Sequence, residues 1–218
     1  MKIISILMIL AALAVHPSQA QQQAKAKELL KKLSENNKSY ESIRAGFTFR
    51  YKSLQSKAES SWDGKILMKG KKYRLELRQS TVYYNGKTLW NHLHDAQEVN
   101  VSEPVQQDQS DILNHPHQIF EIHQMDLKYQ YLGQETINGE DIYKVDLFPR
   151  ELDRDYSRIR LFLHQSPVQI HSAKVFGKDG TRYTIEIEDL VTNQPVADST
   201  FVFDKADHPN VEVIDMRF

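Results

Sequence analysis

The sequence predicts a mainly β protein with few helices: one amphipathic helix, then a long antiparallel sheet of about ten or eleven strands. Three observations carry this. Apolar residues recur every second position through most of the chain. Asn-Gly and Asp-Gly pairs separate the alternating runs. Only the segment near the start has a helical period. Such a sheet must hide its dry face, either by curling into a barrel or by staying partly open beneath covering helices.

Composition narrows the classes. In 218 residues, 40% are hydrophobic and 26% charged, which argues against extended disorder. The formal charge of −1 removes a basic nucleic-acid footprint. With no cysteine, disulfides, thiol catalysis, thiolate metal sites and N-terminal Cys lipidation are all excluded.

The elements follow in order. Lys2 precedes the apolar run Ile3 to Val15, and Ser18-Gln19-Ala20 ends it as a small-x-small pattern. This reads as a secretory signal peptide over residues 1–20, cut after Ala20, because the run is too short to span a bilayer. The exported chain, 21–218, is then a single domain, placed in the periplasm if the source is Gram-negative. Ala24 to Asn36 carries Leu29, Leu30 and Leu33 on one face and lysines on the other.

The period then falls to two. Ile43, Ala45, Phe47, Phe49 and Tyr51 alternate with polar or small residues. Tyr73, Leu75 and Leu77 do the same, as do Ile159, Leu161 and Leu163, and Tyr183, Ile185 and Ile187. One wet face and one dry face is the mark of antiparallel pairing. Asn85-Gly86, Asn138-Gly139 and Asp179-Gly180 are hairpin signals. Gln106 to Met125 breaks the pattern and reads as a loop with a short helix through Ile112, Leu113, Ile119 and Phe120.

Catalytic signals are weak. No nucleophile elbow, zinc-protease motif, phosphate loop or dinucleotide fingerprint is present. His92-x-His94 has the spacing of a zinc pair on a strand, but a third ligand (His115, His117 or His123) is not placed by the sequence, so no metal site is assigned. Glu186 and Glu188 read as solvated charges on a wet face. The chain is therefore not read as an enzyme and no cofactor is expected. What stands out is the dry face of the first half, rich in Phe47, Phe49, Tyr51, Ile66, Met68, Tyr73, Leu75, Leu77 and Trp90. The plain reading is core; the alternative is a lipid-sized pocket.

The order of these features resembles the LolA family of outer-membrane lipoprotein carriers, over nearly all of the exported chain. The similar stretches are Gly46-Phe47-Thr48-Phe49, Gly64-Lys65-Ile66-Leu67-Met68-Lys69-Gly70, Lys72-Tyr73-Arg74-Leu75-Glu76-Leu77, Asn85-Gly86-Lys87-Thr88-Leu89-Trp90, the middle hairpin at Asn138-Gly139, the late hairpin at Asp179-Gly180 and a Phe201-Val202-Phe203 strand. The resemblance implies an incomplete antiparallel β-barrel of about eleven strands, covered by helices around a hydrophobic cavity. It implies a carrier that takes acylated lipoproteins from an inner-membrane ABC transporter and yields them to an outer-membrane acceptor, acting as a monomer. The nine dry-face residues named above would line the cavity. Leu29, Leu33, Ile119 and Phe120 would form a lid, with Lys69 at the family's latch arginine and near that lid. A lysine there keeps the charge but loses the planar donor fork. The competing readings are a periplasmic lipoprotein-sensing module on the same architecture and a zinc hydrolase built on His92 and His94.

Overall fold

The computed structural model describes residues 18–103 and 116–217. Residues 1–17, most of the expected signal peptide, and Ile112, Leu113 and His115 lie outside the described residues.

Helix α1 (Gln19–Ser39) opens the described chain, with Ser18 as its cap accepting from the Gln21 amide. It is longer at both ends than the apolar stripe predicts, because Gln, Lys and Glu propagate a helix as well as leucine does. Its buried stripe is Ala26, Leu29 and Leu33. The expected cut after Ala20 falls within its first turn.

Strands β1 (Ile43–Ser53), β2 (Glu59–Lys69), β3 (Lys72–Glu76), β4 (Ser80–Tyr84), β5 (Leu89–Leu93) and β6 (Glu98–Ser102) run as one antiparallel meander. A 3₁₀ segment, Pro116–Gln124, follows. Strands β7 (Leu127–Ile137), β8 (Glu140–Pro149), β9 (Tyr156–Leu163), β10 (Ile170–Gly177) and β11 (Thr181–Thr192) form the second meander. β11 closes on β1, from Ile43 against Thr192 to Ser53 against Thr181. A final strand, β12 (Glu212–Asp215), pairs parallel with β6. The result is one sheet of 12 strands in the order β12-β6-β5-β4-β3-β2-β1-β11-β10-β9-β8-β7. It has two edges, β12 and β7, so it curls without closing.

The hairpin residues do what their chemistry allows. Asn138 and Gly139 both take positive φ, 52° and 84°, as a type I′ turn needs. Asn85 Oδ1 accepts from the Lys87 and Thr88 amides, which shapes the β4–β5 turn.

One expectation is corrected. Phe201-Val202-Phe203 is not a strand: Phe201 ends a 3₁₀ turn, Asp198–Phe201, and Phe203 follows it in irregular chain. The alternation there comes from a strap lying across the sheet, not from a ladder. Among the described residues the sheet has 12 strands, in keeping with the expected eleven or so, and β12 is one whose largely exposed residues give no period-two signal. Among the described residues no helix is long and apolar enough to cross a membrane.

Candidate functional site

The sheet's concave face and the elements lying over it form a single apolar cluster. From the first meander it takes Phe47, Phe49, Ile66, Met68, Tyr73 and Leu75, all buried, with Leu77 half-buried against them. From above it takes Leu29 and Leu33 of α1, and Ile119, Phe120 and Ile122 of the 3₁₀ segment. Ile159, Leu161, Leu163, Val145 and Ile185 complete it from the second meander. The sequence-derived pocket and lid residues therefore meet in one place, with the exceptions of Tyr51, Trp90 and Lys69.

Aromatic residues meet in pairs along this face. Phe49 lies on Trp62 with ring centres 4.5 Å apart, and Tyr73 meets Tyr84 at 5.3 Å. Tyr51 shares the parity of Phe49 but sits near the end of β1, edge-on to Tyr183 at 5.6 Å. Phe47 crosses β2 directly over Gly64, its register partner. A Cβ on Gly64 would stand 2.3 Å from Phe47 Cζ, so the glycine is required for the ring to lie there.

Trp90 does not belong to this face. It is the register partner of Tyr83, and cross-strand partners share a side. Tyr83 is one residue out of step with Tyr84, so both Tyr83 and Trp90 point to the convex face. There they pack with Val99, Phe203 and Val211 in a second, smaller cluster. Leu89, one residue earlier, is the β5 side chain that joins the main cluster.

Lys69 is also displaced from its expected place. It follows Met68 on β2 and so faces outward. Its ammonium donates to the Val196 carbonyl (2.8 Å) and to Asp198 Oδ1 (2.9 Å), and Lys72 reaches Asp198 Oδ2 at 2.5 Å. The two lysines hold Asp198 near a pKa of about 2 through these hydrogen bonds. They clamp the C-terminal strap to the sheet, not the lid.

α1, which carries the expected lid residues Leu29 and Leu33, is tied to its neighbours by amides that sequence reasoning passed over. Asn37 Nδ2 donates to the Phe120 carbonyl (2.8 Å), Asn36 Nδ2 to the Val168 carbonyl (2.9 Å), and Gln130 Nε2 to Gln22 Oε1 (2.8 Å). Each is a neutral bond with a net value of about 1 kcal/mol. Nothing local marks Asn36 or Asn37, since two asparagines in a last helical turn read as an ordinary helix end.

Two openings flank the cluster. One, of about 390 Å³, runs between α1 and the 3₁₀ segment over β7, floored by Leu30, Ile122, Met125, Leu127, Tyr129 and Leu147. The other, of about 270 Å³, lies where the end of α1 meets the β2–β3 turn, among Tyr40, Ile43, Met68, Phe120 and Glu121. Phe47, Phe49, Tyr73 and Leu75 line neither. Burial pushes the Glu121 carboxyl up, with Lys71 opposing, and burial likewise pushes the Tyr73 phenol up, with Tyr84 and Glu121 adding to the shift.

His92 and His94 meet another histidine through ring contacts, while His115, a candidate third ligand, lies outside the described residues. His92 and His94 have ring centres 5.0 Å apart, and His208 of the strap, not named from the sequence, comes within 4.7 Å of His92. These are ring contacts, continued by Phe203 stacked on His208 at 5.0 Å. Among the described residues no group of three His, Cys, Asp or Glu is disposed to hold a metal ion. Glu186 pairs with Arg50 at 2.5 Å, and Glu188 accepts from the Thr48 hydroxyl at 2.8 Å.

Comparison with known proteins agrees with this geometry. The model of the outer membrane lipoprotein carrier protein LolA family matches residues 38–204. Comparison with curated protein sequences finds no match. An uncharacterized conserved protein from Thermus thermophilus superposes with a TM-score of 0.58 at 9% identity, covering 87% of this chain and 98% of that one. A DUF1329 family protein from Desulfovibrio piger gives 0.50 at 12% identity, over 86% and 99%. A LolA superfamily protein from Nitrosomonas europaea gives 0.42 at 15% identity, over 82% and 98%. At such identities the first two likenesses speak for the fold alone.

Proposed function

Because the chain belongs to the outer membrane lipoprotein carrier protein LolA family, we propose that it is an exported, periplasmic carrier that shields acyl chains of lipoproteins between two membranes. On this reading it receives them from an inner-membrane ABC transporter and yields them to an outer-membrane acceptor. The observation that carries the proposal is the single apolar cluster under α1 and the Pro116–Gln124 segment. Its cover is fastened by a few neutral amide bonds.

The energetics fit a carrier. Burying an acyl chain is worth about 0.8 kcal/mol per CH₂, so a chain of about 16 carbons gains roughly 12 kcal/mol when fully enclosed. In the closed form described here, Leu29, Leu33, Ile119 and Phe120 occupy that space. A ligand enters by taking over the contacts that these side chains make with the sheet, so loading is an exchange of apolar partners. The polar ties given up are worth about 1 kcal/mol each, small against the chain's burial. No bond is made or broken, and release needs only an acceptor that holds the chains more tightly.

The test is lipid extraction and mass spectrometry of the protein purified from the exporting cell's periplasm. The proposal predicts acylated peptide or lipid in a fixed ratio to protein, lost when lipoprotein release from the inner membrane is blocked. Protein free of acyl material under conditions of active export would contradict it.

A further inference from the structure

Resting on that reading, we infer that the groove between α1 and the Pro116–Gln124 segment takes an acyl chain that ends in an anionic head group. The floor of the groove is apolar and the rim is cationic. Leu30, Ile122, Met125, Leu127 and Leu147 form the floor, and Lys27, Lys31 and Lys38 stand along one side. The placement follows from helical spacing. Lys27, Lys31, Ser34 and Lys38 recur at four, three and four residues, with Leu30 one turn from Lys27 and Ser34, a stripe beside the buried Ala26, Leu29 and Leu33. Leucine lies at the inner border of this stripe and lysine at the outer one.

The charge on this rim is not spent internally. Glu35 is the one carboxylate among the groove's lining residues, and it lies 3.6 Å from Lys31. Lys27 and Lys38 make no ion pair among the described residues. The opposite flank differs: Lys25 and Lys32 both close on Glu28, at 3.1 and 2.7 Å. Helix α1 thus pairs both lysines on the side away from the groove, with a net charge of one there, and leaves a net charge of two on the side facing it, where among the described residues two lysines are unpaired.

Physical chemistry then selects the ligand. A volume of about 390 Å³ suits one small ligand or one chain, not several. Lysine stems extend the apolar wall while their ammonium groups stay in water at its lip. A carboxylate or phosphate at the end of a chain lying on the floor would meet these ammonium groups without being dried. A neutral glyceride end would gain nothing from them.

The experiment is calorimetric titration of the intact protein with amphiphiles of one chain length: laurate, dodecyl phosphate and neutral monolaurin, with inorganic phosphate as a head without a tail. We expect laurate and dodecyl phosphate to bind about tenfold more tightly than monolaurin at low salt. The gap should close in high salt, because exposed charges are screened. It should also close in Lys27→Glu with Lys38→Gln, both exposed positions, the charged chains losing far more affinity than monolaurin, which loses only stem contact. Inorganic phosphate alone should give no binding. Equal affinity for charged and neutral chains would overturn the head-group inference and leave the carrier reading intact. A preference that survives the lysine substitutions would overturn its assignment to this rim. Phosphate binding as tightly as dodecyl phosphate would make the rim an ion site and overturn the amphiphile site. Failure of all the chains to bind would remove the carrier reading as well.

Discussion

Gly64 and Tyr73 show how single positions carry this fold's function. Gly64 exists so that Phe47 can lie across β2, and any side chain there meets the ring and the Glu76 carbonyl at under 3.0 Å. Gly64→Val should therefore cost about 2–3 kcal/mol, the scale of overpacking a core, read from a urea unfolding midpoint. A shift below half of that would mean that Phe47 moves aside freely. Tyr73 is buried against Tyr84 near Glu121, and burial pushes both the Tyr73 phenol and the Glu121 carboxyl up. Tyr73→Glu puts a second carboxyl beside Glu121, at a cost of several kcal/mol if it stays charged and dry. We expect loss of acyl binding and a midpoint that recovers as the pH falls toward 5, since protonation removes the charge. Unchanged binding by this variant would take Tyr73 out of the site. Trp90 was legible as an aromatic in a family-like hairpin, yet its side of the sheet was not. Which face is covered depends on the strap near Phe203 and Val211, more than a hundred residues away.

At the level of elements, the lid and the strap separate cleanly. α1 and the Pro116–Gln124 segment are joined by Asn37, and α1 is joined to the loop before β10 by Asn36. Replacing both asparagines by alanine should remove about 2 kcal/mol from the closed lid, or about thirtyfold in opening. Lys69→Leu should leave that opening unchanged and loosen residues 196–203 instead. Hydrogen exchange read segment by segment distinguishes the two, and faster exchange in the Pro116–Gln124 segment on losing Lys69 would restore it as a lid latch. The strap has a titratable hold as well. Burial, then His208 and His94, lowers the His92 pKa below its ordinary 6.5. Folded protein then binds fewer protons there than unfolded chain. Its contribution is present above about pH 6.5 and is lost as the pH falls through the lowered folded value. Exchange in residues 201–211 should rise on acidification toward pH 5, and His92→Phe should flatten that dependence. A pH-independent strap would show that His92 does not hold it.

Across the whole molecule, the sheet was readable because alternation records burial on one side, strand by strand. β3 and most of β9 obey it, while the buried Thr48 on β1 and the half-buried β11 depart from it, and the turn dipeptides mark where the chain reverses. What the sequence hid were pairings between distant pieces. β12 joins β6 in parallel with mostly exposed residues, and the strap crosses the convex face through Lys69, Lys72 and Asp198. No local period encodes either. The same holds for the site: its apolar lining was written in parity, whereas its latch and its openings depend on how α1 meets elements eighty or more residues away.

The most direct test of the carrier account is photo-crosslinking with an acyl chain bearing a diazirine near its end, followed by peptide mapping. The account predicts adducts on the concave face, at Phe47, Tyr73, Leu75 and the Leu30–Leu33 side of α1. Adducts confined to the convex cluster around Tyr83, Trp90 and Phe203, or none at all, would contradict it.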